Sequence, residues 1–298
     1  MVGRIEIKFK YLVFWAFSLI AFGCNSYSEF KTEDYTLLKN SNEKAVVILF
    51  PCYFCDAEHT LSEAKFIDEL LKNKISVVLL NENKKLFLKE SDKYRLSNFL
   101  SQIINQNKIS ADNLVLGGFS SGGNLAGNLS VYMQKNAEIK PKAVFMVDSP
   151  IDLEQLYVNS KKDIDLNFNQ NALDEAIHVS TFLENEIGKP DEKPNNYLNH
   201  SFFMNSQKEK LDLEFYKNLK IRFYSEPDSI WYSENRGRNL DETNYFQLKM
   251  AHEFFSEKGL NSDLILTQNK GYRKDEERHP HSWSIVDGRD LVSWILDK

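Results

Sequence analysis

Apolar positions along the chain alternate between short continuous runs and runs spaced at three and four residues, the rhythm of strands followed by helices. Ala45 to Phe50 (AVVILF) has the length and continuity of a strand buried on both faces. Ser76 to Leu80, Leu114 to Leu116, Ala143 to Val147, Ile221 to Tyr224 and Leu264 to Thr267 predict five more strands. After the first, Ala64, Ile67, Leu70 and Leu71 share one helical face, and Thr60 with Glu63 has the form of a capping box that would start that helix. Leu96, Phe99, Leu100, Ile103 and Ile104 mark a second helix, and Leu125, Leu129, Tyr132 and Met133 a third. Phe246 to Phe255 and Ile285 to Ile295 suggest two more. Strands alternating with helices require crossovers, which build a mostly parallel sheet with helices on both faces.

The rhythm breaks at residues 151–217, which are polar and rich in Asn, Lys and Asp. Two helical stretches appear there, around Leu153 to Tyr157 and Ala172 to Leu183, followed by Pro190 and Pro194 and no strand pattern. This predicts a helical cap inserted after the fourth strand, inside one domain spanning residues 24–298. At the N-terminus, Arg4, Lys8 and Lys10 precede an apolar stretch from Tyr11 to Phe22 that reaches Gly23-Cys24. A basic start and a short apolar core predict a signal peptide over residues 1–23, too short for comfortable membrane spanning. The small residue before a cysteine resembles the lipobox of bacterial lipoproteins, although Ala21 and Phe22 depart from its usual residues. That resemblance implies a lipid on Cys24 and an exported, membrane-anchored protein of the cell envelope.

Composition narrows the classes. The chain carries 37 Lys+Arg against 43 Asp+Glu, a net charge of −6 over 298 residues, which argues against the basic face a nucleic-acid binder needs. Hydrophobic residues make up 42%, enough for a large core, and three cysteines are too few for a disulfide scaffold.

The candidate chemistry lies after the third predicted strand. Gly118-Phe119-Ser120-Ser121-Gly122 matches G-x-S-x-G between a strand and a helix, the setting of a nucleophile elbow. An acidic turn, Ser225-Glu226-Pro227-Asp228, follows the fifth strand, and His279-Pro280-His281-Ser282-Trp283 precedes the last helix. The order serine, acid, histidine resembles the α/β-hydrolase family, and more narrowly an exported group of α/β-hydrolase lipoproteins. The resemblance implies a serine hydrolase acting on a small acyl substrate, with Ser120 as nucleophile and a histidine as base. His281, nearer the final helix, is the expected base, with His279 held beside Pro280. Three carboxylates compete for the acid: Asp148, Glu226 and Asp228. In the family's commonest arrangement the acid lies about four residues past the strand's last apolar residue, which selects Asp228; Asp148 is then expected to brace the start of the cap with Ser149 and Pro150. The oxyanion donors would be the backbone N–H of Ser121 and that of Cys52 or Tyr53, in a Pro51-Cys52-Tyr53-Phe54-Cys55 loop that departs from the His-Gly or Gly-Gly of many relatives. The donors being main-chain groups, the two thiols are expected to be dispensable for the chemistry.

The same loop supports a rival reading. A strand followed by C-x-x-C and a helix is how a thioredoxin-like thiol-disulfide site begins, although Cys52 and Cys55 could equally form a local disulfide or buried thiols that shape the loop. A third reading keeps the hydrolase shape as a non-catalytic binding protein of the envelope. Trp231, Arg236 and Arg238 follow the acidic turn and are candidate pocket residues, the arginines toward an anionic substrate group. His59, His178, His200 and His252 belong to no metal motif, and no H-E-x-x-H spacing occurs, so no catalytic metal and no cofactor are expected.

Overall fold

The computed structural model describes residues 27–81 and 84–297; the expected signal segment 1–23 and Cys24 lie outside the described residues. Six strands fall where the apolar runs place them: β3 (Ala45–Phe50), β4 (Ile75–Leu80), β5 (Leu114–Phe119), β6 (Ala143–Val147), β7 (Lys220–Ser225) and β8 (Ser262–Leu266). Two further strands, β1 (Tyr27–Lys31) and β2 (Tyr35–Asn40), precede them. The sheet order is β1-β2-β4-β3-β5-β6-β7-β8, with β2 antiparallel to both neighbours and every other pairing parallel.

Side chains on successive strand residues point to opposite faces, so one apolar run feeds two cores. Val46, Ile48 and Phe50 of β3 face a layer built on α3 (Glu90–Gln106), α4 (Ser121–Asn136) and α9 (Asn244–Glu257). Val47 and Leu49 face the opposite layer, from α1 (Ala57–Glu63), α2 (Ile67–Lys72) and α10 (Gly288–Leu296). Parallel pairing of β3 through β8 directs their carboxyl ends to one edge, where the connecting loops gather.

The first helix starts earlier than its capping-box pattern indicates. Asp56 is the N-cap of α1, its carboxylate accepting the His59 N–H at 2.8 Å, while Thr60 lies inside the helix and its hydroxyl donates to the Asp56 carbonyl. The helix then breaks at Ala64, and Ile67, Leu70 and Leu71 belong to the separate α2.

The inserted segment divides in two. Its helices α5 (Leu153–Leu166), α6 (Gln170–Ile187) and α7 (Pro194–His200) share a small cluster of Leu153, Val179, Leu183 and Tyr197, closed by Leu86 and Phe87 from the loop before α3. From Phe202 onward the chain rejoins the main core, where Phe202, Phe203 and Tyr216 pack among the residues of α4 and α9. After β7 comes α8 (Ser229–Arg236). Among the described residues no helix is long and apolar enough to cross a membrane.

Candidate active site

The elbow joins β5 to α4 at Ser120, whose backbone stands at φ 54 and ψ −131, a conformation a non-glycine residue holds only when its surroundings impose it. Two surroundings do so. The Ser120 N–H donates to the Val147 carbonyl at 3.0 Å, which ties the turn to β6. Gly118 and Gly122 permit the tightness: a Cβ on Gly118 would overlap the Gly122 carbonyl, and one on Gly122 would overlap the carbonyl oxygens of Phe50 and Pro51. Ser120 and Ser121 open onto a cavity of about 320 Å³ that His281, His279, Tyr53, Phe54 and Trp231 also line, with Glu175 and Val179 of α6 as its roof.

His281 pairs with Asp148. Its Nδ1 lies 2.6 Å from Asp148 Oδ2, and its ring packs 4.5 Å from that of Phe119, the residue before Ser120. Asp148, 1% exposed, follows the last residue of β6 with φ 40. Its N–H donates to the Tyr224 carbonyl at 2.8 Å, Ser225 Oγ donates to its Oδ1 at 2.8 Å, and the Tyr232 hydroxyl reaches its Oδ2 at 3.4 Å. Burial, then the Asp148 charge, pushes the Tyr232 hydroxyl well above its ordinary pKa, so it stays a donor.

The expected pairing of Asp228 with the histidine is therefore corrected. Asp228 is the N-cap of α8, its Oδ1 accepting the Trp231 N–H at 3.0 Å, and its Oδ2 meets Arg278 Nη2 at 2.6 Å. Glu226, also 1% exposed, bonds the same guanidinium at 2.6 Å and accepts from Thr267 Oγ1 and the N–H groups of Lys270 and Gly271. Both carboxylates of that turn thus anchor the loop that carries the histidines. Asp148 does not brace the cap; that task falls to Asp152, which caps α5 and accepts the Asn205 N–H, and whose carboxyl burial raises to about 6.

His279 lies beside His281 but in different company. Its ring packs 4.6 Å from that of Trp231, and Arg273 Nη2 stands 3.5 Å from its Nδ1. Burial, then the charge of Arg273, lowers it to about 3, so it is neutral across ordinary pH.

Trp231, Arg236 and Arg238 line the cavity as the sequence suggests, yet both arginines already have carboxylate partners in the cap. Arg236 meets Glu175 at 2.9 Å, and Arg238 forms a two-pronged pair with Asp163. Burial opposes ionisation of Glu175, but Arg236, with Arg238 and His281 beyond it, holds its pKa below the usual value. These pairs, unseen in the sequence, fasten α8 and the residues after it to α5 and α6.

Cys52 and Tyr53 occupy the loop between β3 and α1, and among the described residues their N–H groups donate to no acceptor. Cys52 is disulfide-bonded to Cys55. Tyr53 lines the cavity, and its hydroxyl lies 3.0 Å from His178 Nε2 on α6, a link between loop and cap. The sulfurs of Cys52 and Cys55 and a His59 nitrogen lie within 4.8 Å of one another, but the two sulfurs are spent on each other.

No protein-family model matches the sequence, and no curated protein matches it. Solved structures do. The chain is similar to an esterase/lipase from an uncultured bacterium, with a TM-score of 0.58 and 9% identity over 91% of this chain and 86% of that one. It is similar to an esterase of the bacterial hormone-sensitive lipase family, with a TM-score of 0.57 and 11% identity over 91% and 83% of the two chains. It is also similar to the fluorophosphonate-binding serine hydrolase F of Staphylococcus aureus, with a TM-score of 0.56 and 9% identity over 91% and 97%. Across so little sequence identity the shared property is the architecture: the chain has the α/β-hydrolase fold.

Proposed function

We propose that the protein is a serine hydrolase that cleaves a small carboxylic ester through Ser120, His281 and Asp148. The observation that carries this reading is the 2.6 Å contact between His281 Nδ1 and the buried Asp148 carboxylate, in a cavity that the strained Ser120 also lines. Asp148 accepts the Nδ1–H and so fixes the tautomer that leaves Nε2 free to take the Ser120 proton. Ser120 Oγ attacks the acyl carbon, the carbonyl π electrons move to oxygen, and the N–H of Ser121 with that of Cys52 or Tyr53 receives the oxyanion. Collapse expels the alcohol, which takes its proton from the imidazolium and leaves an acyl-serine; water, deprotonated by His281, then releases the acid. The neutral His279, its ring against Trp231, serves as a wall of the pocket. The esterase and serine hydrolase titles of the similar structures agree with this chemistry.

A fluorophosphonate probe should label the wild type at one site and leave Ser120→Ala unlabelled, with ester turnover falling by about 10⁶. Labelling and turnover that persist in Ser120→Ala would remove the mechanism. The thiol-disulfide reading is weaker, because Cys52 and Cys55 sit within the connecting loop after β3 of the hydrolase sheet itself, and Tyr53 and Phe54 between them line this cavity.

The proposal extends to the N-terminus: export, with a lipid on Cys24 tethering the domain to the cell envelope. The basic start, short apolar core and Gly23-Cys24 pair support it. Metabolic labelling with a fatty acid should tag the wild type, and equal tagging of Cys24→Ser would dismiss the anchor.

A further inference from the structure

Resting on the hydrolase reading above, we infer that the Cys52–Cys55 disulfide is a positioning device that holds the second oxyanion donor in place, which makes turnover sensitive to dithiol reductants. The expectation that both thiols are dispensable treats them as side chains hanging from an independently stable loop. Its side chains are held, Cys52 against the core and the Tyr53 ring against Phe54, His178 and Phe182, but these contacts do not fix the direction of the backbone N–H groups. Among the described residues, the N–H groups of Cys52, Tyr53 and Phe54 donate to no acceptor, and Phe54 is 68% exposed. Phe54 stands at φ 60, a region a phenylalanine does not choose for itself. The Tyr53 hydroxyl reaches the cap, through His178, and a tie to the cap does not orient the Tyr53 backbone.

The disulfide supplies the missing constraint. It closes a turn with two residues between its ends, Cα atoms 5.1 Å apart, alongside the Cys55 N–H that donates to the Cys52 carbonyl at 2.9 Å. The closed turn then stands against the elbow. The carbonyls of Phe50 and Pro51 lie so near Gly122 that a Cβ there would overlap them, and Tyr53 and Phe54 line the cavity with Ser120 and Ser121. An oxyanion donor is worth about 10² to 10³ in kcat only when it is already aimed at the developing charge. Opening the turn leaves the donor present but unaimed, so part of that factor is lost.

Reduction balances simply. A dithiol reagent such as dithiothreitol breaks the Cys52–Cys55 bond, gives one proton to each protein sulfur and closes its own disulfide. Because His59 and the two freed thiols lie close enough together to hold a metal ion, the assay contains EDTA.

Ester hydrolysis is measured on the wild type and on Cys52→Ala/Cys55→Ala, with and without dithiothreitol. The expected result is a kcat about ten to a hundred times lower for the reduced wild type, with KM nearly unchanged, and recovery when the reagent is removed and the disulfide reforms. The double variant should show the low kcat from the start and no response to the reagent, which also controls for Cys24. A donor used only in the transition state changes kcat and kcat/KM together, whereas general loosening would raise KM and lower the melting temperature as well. The proposal fails if the reduced wild type keeps its kcat, if the double variant is as fast as the oxidised wild type, or if KM and melting temperature move with kcat. Oxidised wild type that neither turns over ester nor takes the fluorophosphonate probe would end the hydrolase reading itself, and this proposal with it.

Discussion

Two acidic turns sit on the carboxyl edge of the sheet, one after β6 and one after β7, and they do opposite work. The turn after β6 offers Asp148, buried, with hydroxyl donors from Ser225 and Tyr232 and the His281 imidazole on its remaining side. The turn after β7 offers Glu226 and Asp228, both already bonded to Arg278. A carboxylate that shares a guanidinium is neutralised in place and serves as an anchor. One surrounded by neutral donors keeps its charge for the imidazolium that forms beside it. Burial does not separate them, since Asp148 and Glu226 are equally buried; the identity of the nearest cation does.

The largest test of that contrast is a pair of isosteric changes. Asp148→Asn should lower ester turnover by about 10⁴, because an amide can present the imidazole with a donor and turn it to the wrong tautomer, while Asp228→Asn should stay within about threefold of wild type. The reverse outcome would move the acid to the turn after β7. Next comes Glu226→Gln. It takes from the partly buried Arg278 the more buried of two carboxylate partners held at the same 2.6 Å, and should cost about 1 to 3 kcal/mol in urea unfolding, because the charge-assisted bonds to a buried carboxylate are lost while Asp228 still pairs with the guanidinium. Unfolding within 1 kcal/mol of wild type would show that the anchor is not Glu226.

A smaller effect separates the two jobs of Asp228. Asp228→Ala should lose about 1 kcal/mol through the missing cap of α8, and Asp228→Asn should recover most of it, since asparagine caps equally well. Equal losses in the two variants would place the stabilisation in the Arg278 pair instead. A last effect is on pH dependence. His279 has a folded pKa of about 3, below its unfolded value, so the unfolded chain gains a proton that the folded chain does not. Stability should therefore be flat above about pH 6.5 and fall as the pH drops toward 3, with a slope of at most about 1.4 kcal/mol per pH unit. His279→Gln should flatten that slope between pH 7 and pH 5; an unchanged slope would mean that the proton uptake lies elsewhere.

The elements that sequence pattern found are those whose burial is continuous. β3, β4 and β6 have no exposed residue, so β3 and β6 read as unbroken apolar runs and β4 as one interrupted only by the buried Ser76. β1 is exposed along most of its length, and β2 is a six-residue antiparallel strand, YTLLKN, with only two aliphatic residues in succession, so neither carries a run to detect. At α1, Asp56 and Thr60 are both competent caps, and only the fold shows that Asp56 accepts the helix N–H while Thr60 turns its hydroxyl back to the chain. Within the site, Ser120 and His281 were legible because each is bound to a local signal, the elbow glycines and the loop into the last helix. Asp148 had a weaker signal, a lone acid immediately after an apolar strand, and counting residues from β7 favoured its rival.

Local order in the sequence by itself determined the parallel sheet, the elbow at Ser120 and the loop that carries His281, because strand runs, turn glycines and helix starts are short-range properties. The choice of acid was decided only in three dimensions. Arg278 comes from a loop 50 residues after Asp228 and 52 after Glu226, and His281 from 133 residues after Asp148, so no short window contains both partners of either pair. The same holds for Glu175 with Arg236, 61 residues apart, and Asp163 with Arg238, 75 apart, which turned two expected substrate-binding arginines into ties between the cap and the segment beginning at α8. A charge is a property of a residue, but what neutralises it is a property of the fold.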